Sequence, residues 1–202
     1  MKTLGGIGRK DLFPVLWLTV VVAIAVTSLA LTDMVTRDLI EEAREDEIKT
    51  MLEELFPEMD AFEEKDDIYF ILRSSGEPEG NPYGIDGDHD IIGFAFLAEG
   101  DGYGGTIELL IGIGPDIGNV TLVGLEVISH SETPGLGARL TEDAFIGQFE
   151  GVPLGDAVLE EDGGEIDAIS GATITSRAVV DAVQDAVDSA VQRLEGMTEG
   201  GS

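Results

Sequence analysis

The first quarter of the chain contains two hydrophobic patterns, and each predicts a different helical segment. Residues 12–32 form a run of twenty-one consecutive uncharged, mostly apolar residues between Asp11 and Asp33. In residues 34–56, apolar positions recur at helical spacing among many charged ones, and Pro57 follows. Because proline cannot continue a helix, this second pattern predicts an amphipathic helix that continues the first segment and ends before Pro57.

The middle of the chain carries short apolar and β-branched runs separated by turn-forming residues. Strands are predicted for residues 67–72, 91–98, 106–113 and 120–129. Residues 73–90 are rich in Gly, Pro, Ser and Asp, which predicts a loop. Strands that follow one another across short turns favour an antiparallel sheet.

Two helices are predicted after the strands. Residues 141–149 resemble a short helix with Thr141 as its N-cap. A longer amphipathic helix of about 20 residues is predicted after Ser176, ending at Gly196 before a polar tail at residues 197–202. Its apolar positions recur at three- and four-residue spacing: Ile174, Val179, Ala182, Val183, Ala186, Val187, Ala190, Val191 and Leu194. Strands followed by a terminal helix predict an α+β domain with a mainly antiparallel sheet packed by helices.

The composition narrows the possible chemistry. The 202-residue chain has 41 acidic and 11 basic residues, a formal charge of −30, and no cysteine. Its charge would repel nucleic acid and anionic lipid headgroups, and indicates either adaptation to salty surroundings or a basic partner. Without cysteine the chain cannot form disulfides, iron–sulfur clusters or cysteine nucleophiles, so a redox role requires an organic cofactor. With only His89 and His130 available, we predict no metal site.

The apolar segment at residues 12–32 has the length of a membrane-spanning helix. As a helix it extends about 31 Å, against about 30 Å for the hydrocarbon core of a bilayer. The alternative is a cleaved signal peptide with the small residues Ser28 and Ala30 at the cleavage site, but the apolar run exceeds the usual length for such peptides. We therefore predict a single retained transmembrane helix, with Trp17 nearer its N-terminal side.

The charges on either side of this segment predict its orientation. Residues 1–11 contain Lys2, Arg9 and Lys10, whereas the sequence after the span is acidic. By the positive-inside rule, residues 1–11 stay in the cytoplasm. Residues 33–57 then form a helical stalk and residues 58–196 a domain on the outer, periplasmic or extracellular, face of the cell membrane.

Hydroxyl-bearing residues are concentrated in residues 167–176, directly before the terminal helix. The first N–H groups of a helix lack intrahelical partners and lie at the positive end of its dipole, so this position suits a phosphate. No Lys or Arg occurs between Gly151 and Ser176. The alternative is an ordinary helix cap in which Ser170, Thr173 or Thr175 accepts a backbone N–H.

Three motifs, taken in this order, resemble one family. They are Gly102-Tyr103-Gly104-Gly105, His130-x-Glu132-Thr133-Pro134-Gly135-Leu136-Gly137, and Asp167-x-x-Ser170-Gly171-Ala172-Thr173. Their order and spacing, together with one N-terminal span, resemble the flavin mononucleotide (FMN)-binding domains of the membrane proteins RnfG and NqrC. The shorter length and compact loops are more similar to RnfG.

The resemblance implies where FMN is held. In that family the threonine that closes the Ser-Gly-Ala-Thr motif is esterified to the phosphate of FMN by a separate flavin transferase that uses FAD, which implies covalent FMN on Thr173. Ser170, Thr175 and Ser176 would solvate the phosphate, while Gly171 and Ala172 leave it room. The loop after the last strand would contact the flavin through Glu132, Thr133, Gly135, Leu136 and Gly137. His130, Asp167 and Tyr103 are predicted to support the site, with a structural hydrogen bond for His130 and loop shaping or transferase recognition for Asp167.

The resemblance also implies a function. The chain would be a one-electron relay, with no catalytic residue of its own, in a membrane-bound Rnf complex that oxidises ferredoxin and translocates Na⁺ or H⁺. Its partners would be the other membrane, iron–sulfur and flavin subunits, the flavin transferase and an extracytoplasmic electron carrier. Two alternatives remain open: an NqrC-like or other anchored flavin protein, and a non-redox surface domain whose Thr173 loop only caps a helix.

Overall fold

The computed structural model describes residues 9–74, 83 and 89–199, with side chains at residues 17–28, 43–74, 83 and 89–198. The chain divides into two compact units, Met1–Glu47 and Ile48–Ser202. Most of the loop predicted at residues 73–90, and parts of the predicted N-terminus and tail, lie outside the described residues.

The first helix, α1, is continuous over Arg9–Leu55. It contains both segments predicted from the hydrophobic pattern, and Pro57 follows its end as expected. Side chains of the segment at residues 12–32 are described only at residues 17–28, where the large apolar ones, including Trp17, are exposed. Within the described part of the chain, no helix has both the length and the apolar character needed to cross a membrane.

A five-stranded antiparallel sheet forms the centre of the second unit. Its strands are β1 Ala61–Lys65, β2 Ile68–Ser74, β3 His89–Asp101, β4 Thr106–Ile113 and β5 Leu122–His130. They lie in the order β1-β2-β3-β4-β5, so each strand pairs with its neighbour in sequence. The prediction of an antiparallel sheet in an α+β domain is confirmed, and β4 has the predicted bounds. The prediction missed β1.

Apolar side chains cover both faces of the sheet. One face packs against the last helix, α3 (Thr173–Glu199), around buried phenylalanines that include Phe70, Phe94 and Phe96. The other face packs against Ile48 and Leu52 at the C-terminal end of α1 and against Phe56, which directly follows the helix. Close packing of α3 on β3 requires a residue without a side chain, because a β-carbon at Gly100 would lie 2.7 Å from the carbonyl oxygen of Ala178.

The segment between β5 and α3 consists of short helical turns. A 3-10 helix at Gly137–Thr141 precedes the α-helix α2 at Asp143–Ile146 and a further 3-10 turn at Gly147–Phe149. The single helix predicted for residues 141–149 is therefore wrong in detail. Thr141 is not its N-cap, because its hydroxyl donates to the carbonyl oxygen of Ala138 and Glu142 occupies the cap position. Two more 3-10 turns follow, at Leu154–Asp156 and Glu160–Asp162.

Both ends of α3 differ from the prediction. The helix begins at Thr173 and not after Ser176, and it continues through Gly196 to Glu199. Ile174, predicted on the buried face, is 58% exposed. The buried positions Val179, Val183 and Val187 recur every four residues, so counting back by four reaches Thr175 and leaves Ile174 out of phase. The early start of α3 places Thr173 in its first turn.

Candidate functional site

The sheet register brings two of the three sequence motifs together. Residues 102–105 form the tight turn between β3 and β4, where Asp101 pairs with Thr106. At the same end of the sheet, Ile107 of β4 pairs with His130, the last residue of β5. The loop that follows His130 therefore starts beside the turn at residues 102–105.

This loop turns back at its Pro-Gly pair. The N–H of Leu136 donates to the carbonyl oxygen of Thr133 over 3.2 Å, with Pro134 and Gly135 between them. Gly135 has a φ of 74°, which favours glycine. Proline followed by glycine at positive φ is the sequence that a type II turn requires. The turn leaves Leu136 about half exposed beside the last helix.

Glu132 connects this loop to both neighbouring segments. Its Oε1 accepts the N–H of Gly104 at 2.8 Å, and its Oε2 accepts the hydroxyl of Thr175 at 2.7 Å. Its own N–H donates to Nδ1 of His130 over 3.2 Å, which is a structural hydrogen bond of the kind predicted for His130. Glu132 is 6% exposed. Both of its carboxylate oxygens thus have hydrogen-bond partners within the protein, and Glu132 also lines the cavity described below.

The third motif ends at the N-terminus of α3. The carbonyl oxygen of Ala172 accepts the N–H of Ser176, so Ala172 occupies the N-cap position without an oxygen in its side chain. In the described part of the chain, no side-chain oxygen accepts the N–H groups of Thr173, Ile174 or Thr175. The capping bonds considered for Ser170, Thr173 and Thr175 are therefore not formed. The positive end of the helix dipole remains available to an anion.

The hydroxyls around this helix start lie in different environments. Thr173 is exposed, whereas Thr175 and Ser176 are 1% and 0% exposed. Ser176 Oγ donates to the carbonyl oxygen of Ala172 and accepts the N–H of Ile169, so its hydrogen bonds stay within the protein. Ser170 lines a separate cleft of about 340 Å³. Of the four predicted hydroxyls, only Thr173 and Thr175 therefore line the cavity described next.

A cavity of about 480 Å³, which we call the threonine cavity, collects residues of all three motifs. Its lining consists of Tyr103, Glu132, Thr133, Leu136, Gly137, Gly171, Ala172, Thr173, Ile174 and Thr175. Three of these are large apolar side chains exposed to solvent: Tyr103 at 73%, Leu136 at 48% and Ile174 at 58%. Ile174 was not among the predicted site residues. Its position out of phase with the buried stripe is the signal that could have identified it.

Asp167 lies outside the threonine cavity. Its backbone N–H donates to Oε1 of Gln148 at 2.7 Å, and its carbonyl oxygen accepts from Nε2 of the same residue at 3.3 Å. Its exposed side chain lines the cleft that also contains Ser170. Gln148 therefore fixes the backbone at the start of the motif, a role that the sequence analysis did not predict.

A second cavity, of about 460 Å³, has a different chemistry. We call it the acidic cleft; its lining includes the carboxylates of Glu54, Glu126, Asp143 and Glu150. Burial raises the pKa of Glu126 above its usual range, and the negative charges of Glu54 and Asp143 raise it further. This cleft would repel a phosphate.

Part of the chain matches a known protein family. Residues 102–188 match the family described as FMN-binding domain, a span that includes all ten lining residues. Among solved structures, NqrC of Shewanella oneidensis is similar at 20% sequence identity and a TM-score of 0.46, covering 69% of this chain and 70% of that one.

Similarity to two curated relatives extends over most of the chain. The G subunit of the ion-translocating oxidoreductase complex of Methanosarcina acetivorans is 38% identical over 176 residues, which cover 85% of this chain and 89% of that protein. The protein of the same name in Aliivibrio fischeri is 32% identical over 179 residues, covering 82% of this chain and 83% of that one. The chain therefore belongs to the RnfG family, the G subunits of ion-translocating oxidoreductase complexes.

Proposed function

We propose that this chain is the electron-relay subunit of an Rnf-type ion-translocating oxidoreductase and carries FMN covalently on Thr173. The observation that carries the proposal is the exposed Thr173 in the first turn of α3, within a cavity of about 480 Å³ in the region that matches the FMN-binding domain. The RnfG relatives support the assignment to an ion-translocating complex.

The threonine cavity fits the two chemical parts of FMN. Its volume lies within the range of about 300–1,000 Å³ typical of small-molecule sites. The exposed apolar side chains of Tyr103, Leu136 and Ile174 suit a flat, largely apolar flavin ring, because covering them removes apolar surface from water. The free N–H groups at the start of α3 suit the phosphate, which keeps one negative charge as a diester.

Attachment requires a flavin transferase that uses FAD. In the proposed reaction, Thr173 Oγ bonds to the phosphorus of the FMN half of FAD, the pyrophosphate bond breaks, AMP leaves, and a base of the transferase takes the hydroxyl proton. The chain gains one FMN less one water, and no electrons are exchanged. The exposure of Thr173 supports access by a second enzyme.

Once FMN is attached, this chain holds and shields it. The flavin supplies the ability to accept and donate electrons one at a time. The N–H groups of Thr173, Ile174 and Thr175 would offset the phosphate charge, and Tyr103 and Leu136 would exclude water from the ring. No side chain is assigned a bond-making step in the electron relay itself.

The proposed topology rests on the sequence and on the named relatives. Residues 12–32 span the cell membrane, with residues 1–11 in the cytoplasm, 33–57 as the stalk, 58–196 as the extracytoplasmic flavin domain and 197–202 as its C-terminal end. The partners are the other membrane, iron–sulfur and flavin subunits and an extracytoplasmic electron carrier. Protease added to spheroplasts should cleave the flavin domain while leaving a cytoplasmic control protein intact. Retention of the full-length chain, with cleavage only after lysis, would contradict this orientation.

Intact mass spectrometry tests the flavin attachment. The full chain, coexpressed with an active flavin transferase, should gain one FMN less one water and fluoresce on a denaturing gel. Thr173→Ala should abolish both signals, while Thr141→Ala, which removes an exposed hydroxyl elsewhere, should retain them. If the wild-type chain gains no mass in cells where the same transferase loads another flavoprotein, the proposal fails. The absence of flavin would favour the non-redox alternative.

A further inference from the structure

Glu132 is unusual among the many acidic residues of this chain. The sequence contains 41 Asp and Glu residues, yet among the described residues only Glu132 has a buried acidic side chain. The other buried polar residues of this part are its partner Thr175 and the adjacent Ser176. The buried polar side chains of the described domain therefore lie in or directly beside the threonine cavity.

The space around the Glu132 carboxylate is shaped by glycines. A β-carbon at Gly102 would collide with Oε1, and one at Gly137 would collide with Oε2. A β-carbon at Gly104, the N–H donor to Oε1, would collide with the carbonyl oxygen of Ser131. Substituting any of the three by alanine would therefore displace the carboxylate or its donor.

The carboxylate is held by neutral donors. Within the described ranges, no Lys, Arg or His side chain forms an ion pair with it, and its partners are the Gly104 N–H and the Thr175 hydroxyl. Burying a carboxylate without a cation costs free energy even when it is hydrogen-bonded. A neutral or apolar side chain would fill the same space without that cost, so packing alone does not explain a glutamate here.

We propose that Glu132 is a positioning residue of the flavin site: it ties the turn at residues 102–105 to the first turn of α3, and its charge lowers the reduction potential of the bound flavin. This inference rests on the proposed function.

The positioning follows from the two partners. Gly104 is adjacent to Tyr103, and Thr175 lies two residues beyond Thr173. The two segments are about 70 residues apart in the sequence, and Glu132 is hydrogen-bonded to both. Three of the four residues in the turn are glycines, which have high conformational freedom when unconstrained. The carboxylate therefore fixes the distance between Tyr103 and the attachment threonine before flavin arrives.

The effect on potential follows from the charge. Glu132 lines the same cavity that is proposed to hold the flavin. A negative charge in a poorly solvated site opposes the addition of electrons to a nearby ring. Neutralising Glu132 should therefore make reduction easier and shift the midpoint potential to a more positive value.

The experiment separates geometry from charge with two substitutions. In Glu132→Gln, the amide oxygen can accept the Gly104 N–H and the amide nitrogen can donate to Thr175 Oγ. Both hydrogen bonds are therefore kept while the negative charge is removed. In Thr175→Val, the charge and side-chain shape are kept but one hydrogen bond is lost. Thr175→Ser restores the hydroxyl. The remote buried substitution Val187→Ala controls for a general loss of stability.

Flavin loading and potential are measured on the full chain with limiting transferase. We expect loading of Glu132→Gln within about twofold of wild type, with a more positive midpoint potential. Loading of Thr175→Val should fall about fivefold to tenfold, as loss of one buried hydrogen bond predicts, and Thr175→Ser should recover it. Val187→Ala should lower the melting temperature without changing loading or potential.

The inference is overturned if wild type is loaded but Glu132→Gln has the wild-type potential and Thr175→Val loads like Val187→Ala. That result leaves the covalent attachment intact. If wild type itself gains no mass, the proposed function fails instead. Amide hydrogen exchange of the flavin-free chain then still tests whether Glu132 holds Gly104 in place. Glu132→Leu should accelerate exchange of the Gly104 N–H at least tenfold, whereas Val187→Ala should not. Equal exchange rates in the two variants would contradict this role of Glu132.

Discussion

The threonine cavity and the acidic cleft have nearly equal volumes, about 480 and 460 Å³, but very different internal organisation. In the threonine cavity, both oxygens of the one carboxylate accept hydrogen bonds, and within the described residues no side-chain oxygen accepts the first N–H groups of α3. Among the residues described for the acidic cleft, the side chains of Glu54, Glu126 and Asp143 form no hydrogen bond. Fixed hydrogen bonds and apolar surface, and not cavity size, distinguish the threonine cavity from the acidic cleft.

The largest difference between the two cavities is expected in the free energy of unfolding when one glycine in each is replaced by alanine. Gly137→Ala places a methyl group against Glu132, and we expect it to lower the free energy of unfolding by about 1–3 kcal/mol. Gly147→Ala, in the acidic cleft, meets no atom within 4 Å and has helical dihedral angles. It should raise the free energy of unfolding by about 0.4–1 kcal/mol. Urea denaturation of both variants measures the difference. Equal stabilities would mean that the Glu132 carboxylate does not need the space that Gly137 leaves it.

A smaller effect is expected from replacing one isoleucine in each cavity by serine. Ile174→Ser should change the free energy of unfolding by less than about 0.5 kcal/mol, because the side chain is exposed, but should shift the visible absorption of the attached flavin. Ile146→Ser, in the acidic cleft, should lower the free energy of unfolding by about 1 kcal/mol, because this side chain packs partly against the core. It should leave the flavin spectrum unchanged. An identical spectrum for Ile174→Ser would show that the flavin ring lies elsewhere.

The smallest effect concerns the pH dependence of stability in the acidic cleft. Since burial raises the pKa of Glu126 in the folded state, its ionisation opposes folding, and this destabilisation is lost as the pH falls through that pKa. Glu126→Gln should therefore raise the melting temperature at pH 7, and its advantage should shrink as the pH falls through the raised pKa towards the ordinary glutamate value of 4.5.

Asp60 provides a control of opposite sign. The N–H of Ser74 donates to its carboxylate at 2.8 Å and lowers the pKa of Asp60. Its ionised form therefore favours folding above the ordinary value of 3.8, and this contribution disappears as the pH falls through the lowered pKa. Asp60→Asn should lower the melting temperature at pH 7. Calorimetry between pH 3 and 7 tests both variants. Parallel pH profiles for the two would contradict the opposite pKa shifts assigned to Glu126 and Asp60.

Local sequence patterns were sufficient to predict most of the sheet. Residues 106–113 form β4 as predicted, because an apolar run ends at turn residues on both sides. The prediction missed β1 because it contains only five residues, three of them charged, at the edge of the sheet. The start of α3 was placed too late because Thr and Ser were interpreted as loop residues, whereas Thr175 and Ser176 are buried within the helix.

The lining of the candidate site could be predicted from sequence only where the residues lie in short local motifs. Thr173, Leu136 and Tyr103 lie in short motifs and all line the threonine cavity. The role of Glu132 depends on partners that are 28 and 43 residues away in the sequence, and no periodic pattern encodes such contacts. Ser170 illustrates the opposite case, since it lies within the motif but lines a different cleft.

Thr173 is exposed in the folded domain, which bears on when the proposed cofactor is loaded. Within the described part of the chain, its hydroxyl takes part in no hydrogen bond, and the core beneath it is closed by Ala172, Thr175 and Ser176. Under the proposed attachment, the flavin-free chain is thus already folded when it meets the transferase. A cell that lacks this enzyme would accumulate an intact but redox-silent protein, and the supply of loaded chains would be set by the transferase and not by folding.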